Sequence, residues 1–174
     1  MKTATFRTSE PRAESAGFHA LFDETFERMK RLAFLLGADD PENIAQEAFV
    51  RLHSRWRSLG GPDKALPYLR RTVVNLSRSR LRHLRVVRRA PEERNPDIVS
   101  AEATVLAGHT SRAVHEALLQ LTPRQRQVLV LRYWLDLDQQ AIAETLGIAV
   151  GTVKATTHHA MTALRAALPE EDDR

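Results

Sequence analysis

Arg71, Asn75, Arg78, Arg82, Arg85 and Arg89 follow one another at steps of three or four residues. On an α-helix that spacing lays them along one continuous stripe. Nine basic residues and no acidic one lie between Lys64 and Arg89. A solvated helix face ordinarily mixes its signs, so that residues four apart attract. Five arginines without a counter-charge repel one another unless a polyanion lies alongside, so the chemistry on offer is phosphate binding. A solvated face or a disordered arm is the competing reading of such a block.

Bond-making chemistry finds little support. There is no His-Glu-x-x-His, no Gly-rich phosphate loop and no Gly-x-Ser-x-Gly. With no cysteine, thiolate zinc sites, disulfides and cysteine nucleophiles are excluded. His158 and His159 are neighbours, and on a helix they diverge by about 100°, poor geometry for a shared metal. His115-Glu116 lacks a second histidine four residues on. No catalytic residue, metal or cofactor is expected.

The elements that must carry the stripe follow from apolar spacing. Few Gly (7) and Pro (8) in 174 residues favour helices. Charge is segregated along the chain: −3 over residues 1–50, +10 over 51–94 and −3 over 95–174. A basic block between acidic flanks again points to a polyanion. No apolar run approaches the ~18 residues of a membrane span, and the first residues do not resemble a secretory signal. A soluble cytoplasmic protein is expected.

Residues 1–17 are polar and unpatterned, and read as a flexible arm. Phe18 to Leu36 has helical spacing and stops at Gly37, with Asp39-Asp40-Pro41 starting the next helix. That helix buries Ile44, Ala45, Ala48, Phe49, Leu52 and Trp56, and shows Glu42, Asn43, Gln46, Glu47 and Arg51 on its other face. The third, from Ala65 to Arg89, carries the stripe opposite Leu69, Val73, Leu76, Leu84 and Val87, an apolar side interrupted at Arg80. Residues 91–110, with two prolines and no sustained period, read as a flexible linker between domains at 18–90 and 111–168. An acidic tail, 169–174, follows. The fold class is all-α, two small helical domains.

Within the second domain Thr122-Pro123-Arg124-Gln125 reads as a capping box with Pro at the first helical position. Asp138 can cap a helix through Ile142, Ala143 and Leu146 to Gly147, with another from Val150 to Leu168. The small residue Ala143, Gly147 four later and the β-branched Val153 six after that match a DNA-binding helix-turn-helix, the alternative being an ordinary helical hairpin. Thr152, Lys154, Thr156, His158 and His159 would face outward, a less basic set than most groove-reading helices carry.

Taken together, these motifs resemble the extracytoplasmic-function (group IV) sigma factors of bacterial RNA polymerase, over roughly residues 18–90 and 110–168. DDPENIAQEAFVRLHSRW (39–56) is similar to region 2.2, PYLRRTVVNLSRSRLR (67–82) to regions 2.3 and 2.4, and LTPRQRQVLVLRYWLDLDQQAIAETLGIAVGTVK (121–154) to region 4. The resemblance implies that Glu42, Asn43, Gln46, Glu47 and Arg51 face the β′ clamp of core RNA polymerase, Asn43 standing where the family more often has aspartate. It implies that Tyr68, Arg71, Asn75, Arg78, Arg82 and Arg85 work on the −10 element, Asn75 beside a captured base and Tyr68 at a usual aromatic position. It places Thr152, Lys154, Thr156, His158 and His159 on the −35 element, with Thr156 and His159 where the family commonly has arginine. Implied partners are core polymerase (β′ clamp and β flap), promoter DNA and an anti-sigma factor, without a membrane. The rival function is a free-standing helix-turn-helix regulator, which leaves the 39–56 polar face and the basic helix without a purpose.

Overall fold

The computed structural model describes the backbone of residues 10–87 and 112–168 and the side chains of 15–84 and 112–168. The linker, the acidic tail and the side chain of Arg85 lie outside the described residues, as does Arg89. All regular elements among the described residues are helical. They are α1 (Glu10–Leu35), α2 (Pro41–Leu59), α3 (Pro62–Val87), α4 (Arg112–Gln120), α5 (Pro123–Leu129), α6 (Gln139–Leu146) and α7 (Val150–Ala167).

The first unit is a three-helix bundle. Gly37 (φ 88°) ends α1, and Gly60 (φ 71°) closes α2; both need the left-handed region that glycine enters without strain. Between them, Asp40 caps α2 by accepting from the Asn43 amide at 3.1 Å. Met29, Leu32, Leu52, Leu69 and Val73 are fully buried where the three helices meet. Along one flank Phe18, Phe22, Phe26 and Phe49 form a ladder with centroids 4.8–6.3 Å apart, two pairs edge to face, one stacked and one tilted.

Two helix starts differ from expectation. The arm expected over residues 1–17 is helical from Glu10 onward. Pro11 suits the first turn of a helix, and Ala13 and Ala16 favour its continuation. Gly17 meets the bundle, where a Cβ would lie 3.4 Å from Trp56. Likewise α3 begins at Pro62 rather than Ala65, since proline gives up no needed donor at the first helical position.

The second unit packs α4, α5 and α6 around α7. The capping box forms: Thr122 and Gln125 exchange side-chain and backbone hydrogen bonds at 3.4 and 3.1 Å. The helix it opens does not run on as a plain α-helix. Val130–Trp134 is one π turn, closed by the Leu135 amide donating to the Val130 carbonyl at 3.3 Å. It turns Leu131 and Leu135 into the core and leaves Tyr133 and Trp134 outside. Asp138 caps α6, accepting from the Ala141 amide at 2.7 Å, and Gly147 (φ 64°) makes the turn. Ile142 and Val153 are fully buried and Ala143 nearly so, which is the close crossing that the small–glycine–branched spacing demands.

Candidate nucleic-acid interface

On α3, Arg71, Asn75, Arg78 and Arg82 are all exposed, and the bundle buries Leu69, Val73 and Leu76 on the opposite side. No acidic partner is bonded to these three arginines among the described residues, so the stripe presents uncompensated charge. Arg80, the interruption on the apolar side, has a different task. Its Nε and Nη2 donate to Asp39 Oδ1 and Oδ2, both at 2.9 Å, a bidentate pair joining α3 to the α1–α2 turn. The guanidinium holds the Asp39 carboxyl below its ordinary range. The turn thus anchors two helices, capping α2 through Asp40 and holding α3 through Asp39.

Tyr68 is half-buried one turn before Arg71, with the Arg55 guanidinium 6.0 Å from its ring centroid. Its hydroxyphenyl face and the Asn75 amide lie on the same helix as the arginines. A planar base could be received there by stacking and side-chain hydrogen bonds.

The polar face of α2 is braced internally. Gln46 donates to Glu42 at 3.1 Å, Arg51 donates to Glu47, and Asn43 is exposed beside them. Val50, which the sequence reading passed over, is 69% exposed in the midst of this face. Together with Phe18, Phe22, Gln46, Phe49 and His53 it lines a shallow apolar hollow. An apolar centre ringed by Gln46, Glu47 and Arg51 has the make-up of a protein-docking patch. The signal was available: an apolar residue one turn after Gln46, on the side that otherwise reads polar.

On α7 the expected residues divide between two edges. Lys154 and His158 line a concavity with Tyr133, Gln139, Thr162 and Arg165. Thr152 and His159 are exposed on the other edge, and Thr156 is half-buried beside the row of Val153 and Ala160. Thr156 is therefore less exposed than Thr152, Lys154, His158 and His159. No side chain caps the start of α7 at Ala149, where the Thr152 and Val153 amides both donate to the Ala149 carbonyl at 3.0 and 3.1 Å. The rings of His158 and His159 are 5.8 Å apart. Among the described residues no group of three or more His, Asp or Glu could hold a metal ion.

Residues 111–164 match the family model described as sigma-70, region 4. The chain is 32% identical over 169 residues to the ECF RNA polymerase sigma factor SigL of Mycobacterium tuberculosis, covering 91% of this chain and 92% of that one. The chain belongs to the ECF RNA polymerase sigma factors. The RNA polymerase sigma-E factor of Streptomyces avermitilis is another relative, 35% identical over 134 residues, 76% of this chain and 73% of that one. In fold, this ECF sigma factor is similar to the sigma factor RpoE of Bartonella quintana, solved with the anti-sigma factor NepR. The TM-score is 0.68 at 19% identity, over 90% of this chain and 98% of that one. No described helix is long and apolar enough to cross a membrane.

The split of α7 gives a graded expectation. His159→Arg adds a charge-assisted donor on an open edge and should raise affinity for −35 duplex about tenfold at low salt. Thr156→Arg, starting from a half-buried position, should gain less. Duplex titrations at two salt concentrations check the order, and equal gains would mean that Thr156 faces DNA as openly as His159.

Proposed function

We propose that the chain is a promoter-specificity subunit of RNA polymerase, acting in the cytoplasm and making or breaking no bond itself. The observation that carries this reading is the joint presence, in one ECF sigma chain, of an acid-free arginine stripe on α3 and the α6–α7 helix-turn-helix. Residues 18–90 act as the region 2-like domain and 111–168 as the region 4-like domain. Glu42, Asn43, Gln46, Glu47 and Arg51 dock on the β′ clamp around Val50. Arg71, Arg78, Arg82 and Arg85 hold phosphates beside the −10 element, while Tyr68 and Asn75 receive an unpaired base. Thr152, Lys154, His158 and His159, with Thr156 at the margin, engage the −35 duplex, and the polymerase supplies the catalysis. An anti-sigma factor is the expected antagonist.

Loss of a phosphate contact weakens binding evenly across sequences, because such contacts carry no sequence information. Arg71→Ala, Arg78→Ala and Arg82→Ala should each lower promoter-complex affinity on every sequence and flatten the salt dependence by about one unit of log–log slope. A change confined to one sequence would assign that arginine to base reading instead. The reading as a whole is tested by co-elution with purified core polymerase. A stoichiometric complex supports it; binding of the chain alone, as a dimer, to a duplex half-site pair while core is ignored would favour a free-standing regulator.

A further inference from the structure

Helices α2 and α3 form a hairpin that is tied at both ends. At one end is the turn at 59–62, built on Gly60 (φ 71°) and Gly61 (φ 139°). Neither glycine has an atom within 4 Å of where a Cβ would stand, so no packing braces this turn. At the other end Arg80 of α3 closes the hairpin on Asp39, just before α2, through two parallel hydrogen bonds of 2.9 Å. Asp40, the cap of α2, adds its attraction to the same guanidinium. Between the two ties the helices pack together, burying Ile44 and Leu52 on α2 and Leu69, Val73 and Leu76 on α3.

The two proposed working surfaces lie on opposite arms of this hairpin. Asn43, Glu47 and Arg51 of the docking face are on α2, and Asn75 with the arginine stripe is on α3. A groove runs between the arms, with Asn43, Glu47 and Arg51 on one side and Ser79, Arg80 and His83 on the other. Once α2 is docked, the place of Asn75 over the DNA follows from the angle between the arms. Asn75 stands thirteen residues after Pro62, about 20 Å along α3 at ~1.5 Å per residue. A tilt of about 5° at the turn moves it sideways by about 2 Å. That exceeds the ~0.5 Å range over which a hydrogen bond to a base holds. Apolar packing is non-directional and lets helices slide by such amounts. A planar guanidinium fork on a carboxylate fixes distance and direction together.

We propose that Arg80, held by Asp39, is a positioning residue for promoter opening. It sets the angle between the docking helix and the reading helix, so that core-bound α2 delivers Tyr68 and Asn75 to the −10 strand in register. The inference rests on the promoter-reading role proposed above. The pair is suited to orientation more than to stability. Its side chains are 44% and 40% exposed, and ion pairs so exposed add little to folding free energy. Its place in the chain fits the task as well: Arg80 is the polar interruption on the apolar side of α3, at the end of the hairpin that has no covalent turn.

The test compares Asp39→Ala, Arg80→Gln and the double variant, each assembled with core polymerase on a fragment carrying a mapped start. Core affinity should stay within about threefold of wild type, and melting within a few degrees. Strand opening, followed by a fluorescent base analogue in the −10 block, should slow about tenfold in each single variant and no further in the double. Arg80→Lys keeps the charge without the fork and should recover only part of the rate. Opposite signs, with Asp39→Ala faster and Arg80→Gln slower, would make Arg80 a direct phosphate contact and overturn the proposal. Additive losses, or full recovery in Arg80→Lys, would remove the shared fork as the cause. Core affinity and opening that fall in parallel would reduce the pair to a structural tie, and wild-type opening in every variant would leave it no part in the reaction. A wild type that neither binds core nor yields a mapped start would refute the promoter-subunit reading, and the proposal would fall with it. Where the wild type is active, the variants decide on the proposal alone.

Discussion

Glu47→Lys should reduce affinity for core polymerase by at least about 100-fold while helix content and melting stay near wild type. Glu47 lies one turn before Val50 on the same helix, accepts from Arg51 one turn on, and lines a groove with Asn43, Arg51, Arg80 and His83. Reversal sets two cations four residues apart, which costs the helix only ~0.2–0.5 kcal/mol. In a docked complex the same change reverses a charge inside a desolvated patch, where truncating one partner of a buried charge pair already costs roughly 2–5 kcal/mol. Val50→Asp should act in the same direction by placing a charge at the apolar centre. Equilibrium binding of labelled protein to core checks both. Wild-type affinity in Glu47→Lys would remove α2 from the docking surface.

The second large effect is expected at Asn75. Its amide is exposed on α3 between Arg71 and Arg78, neutral amid cations, where it adds nothing to phosphate attraction. What it can add is a donor and an acceptor for one base. Asn75→Ala should leave closed-complex formation nearly unchanged, slow strand opening, and relax preference at one −10 position by roughly 1–3 kcal/mol, about 5- to 150-fold. Opening followed by a fluorescent base analogue, on templates varied at each −10 position, measures it. Uniform weakening of the closed complex on all templates would class Asn75 with the arginines.

Local signals in the chain were readable where both partners lie within one or two turns. Asp138, Gly147 and Val153 specify a cap, a left-handed turn and a crossing, and each is found in place. Thr122 with Gln125 is the same kind of signal. The stripe of α3 was legible because helical periodicity alone decides which residues share a face.

Pairings at long range were not legible. Arg80 looked like a defect in an apolar stripe until Asp39, 41 residues away, supplied its carboxylate. Arg126 reads as one more surface cation in a capping-box helix, yet it is buried because Leu36, 90 residues earlier, offers a carbonyl. The π turn at Val130–Trp134 has no compositional mark, since one extra residue in a helix changes which side chains face inward without changing their types. Spacing places Thr156 outward, yet it is half-buried, because the width of the buried face on α7 depends on how closely its neighbours in the second unit pack against it.

The central claim is most directly tested by mapping transcript starts made by purified core polymerase on fragmented genomic DNA, with and without this chain. Discrete new starts sharing two sequence blocks, near −10 and near −35, are expected only when the chain is present and lost with Glu47→Lys. Starts unchanged by the chain, in a mixture where it is folded and in excess over core, would contradict its role as a promoter-specificity subunit.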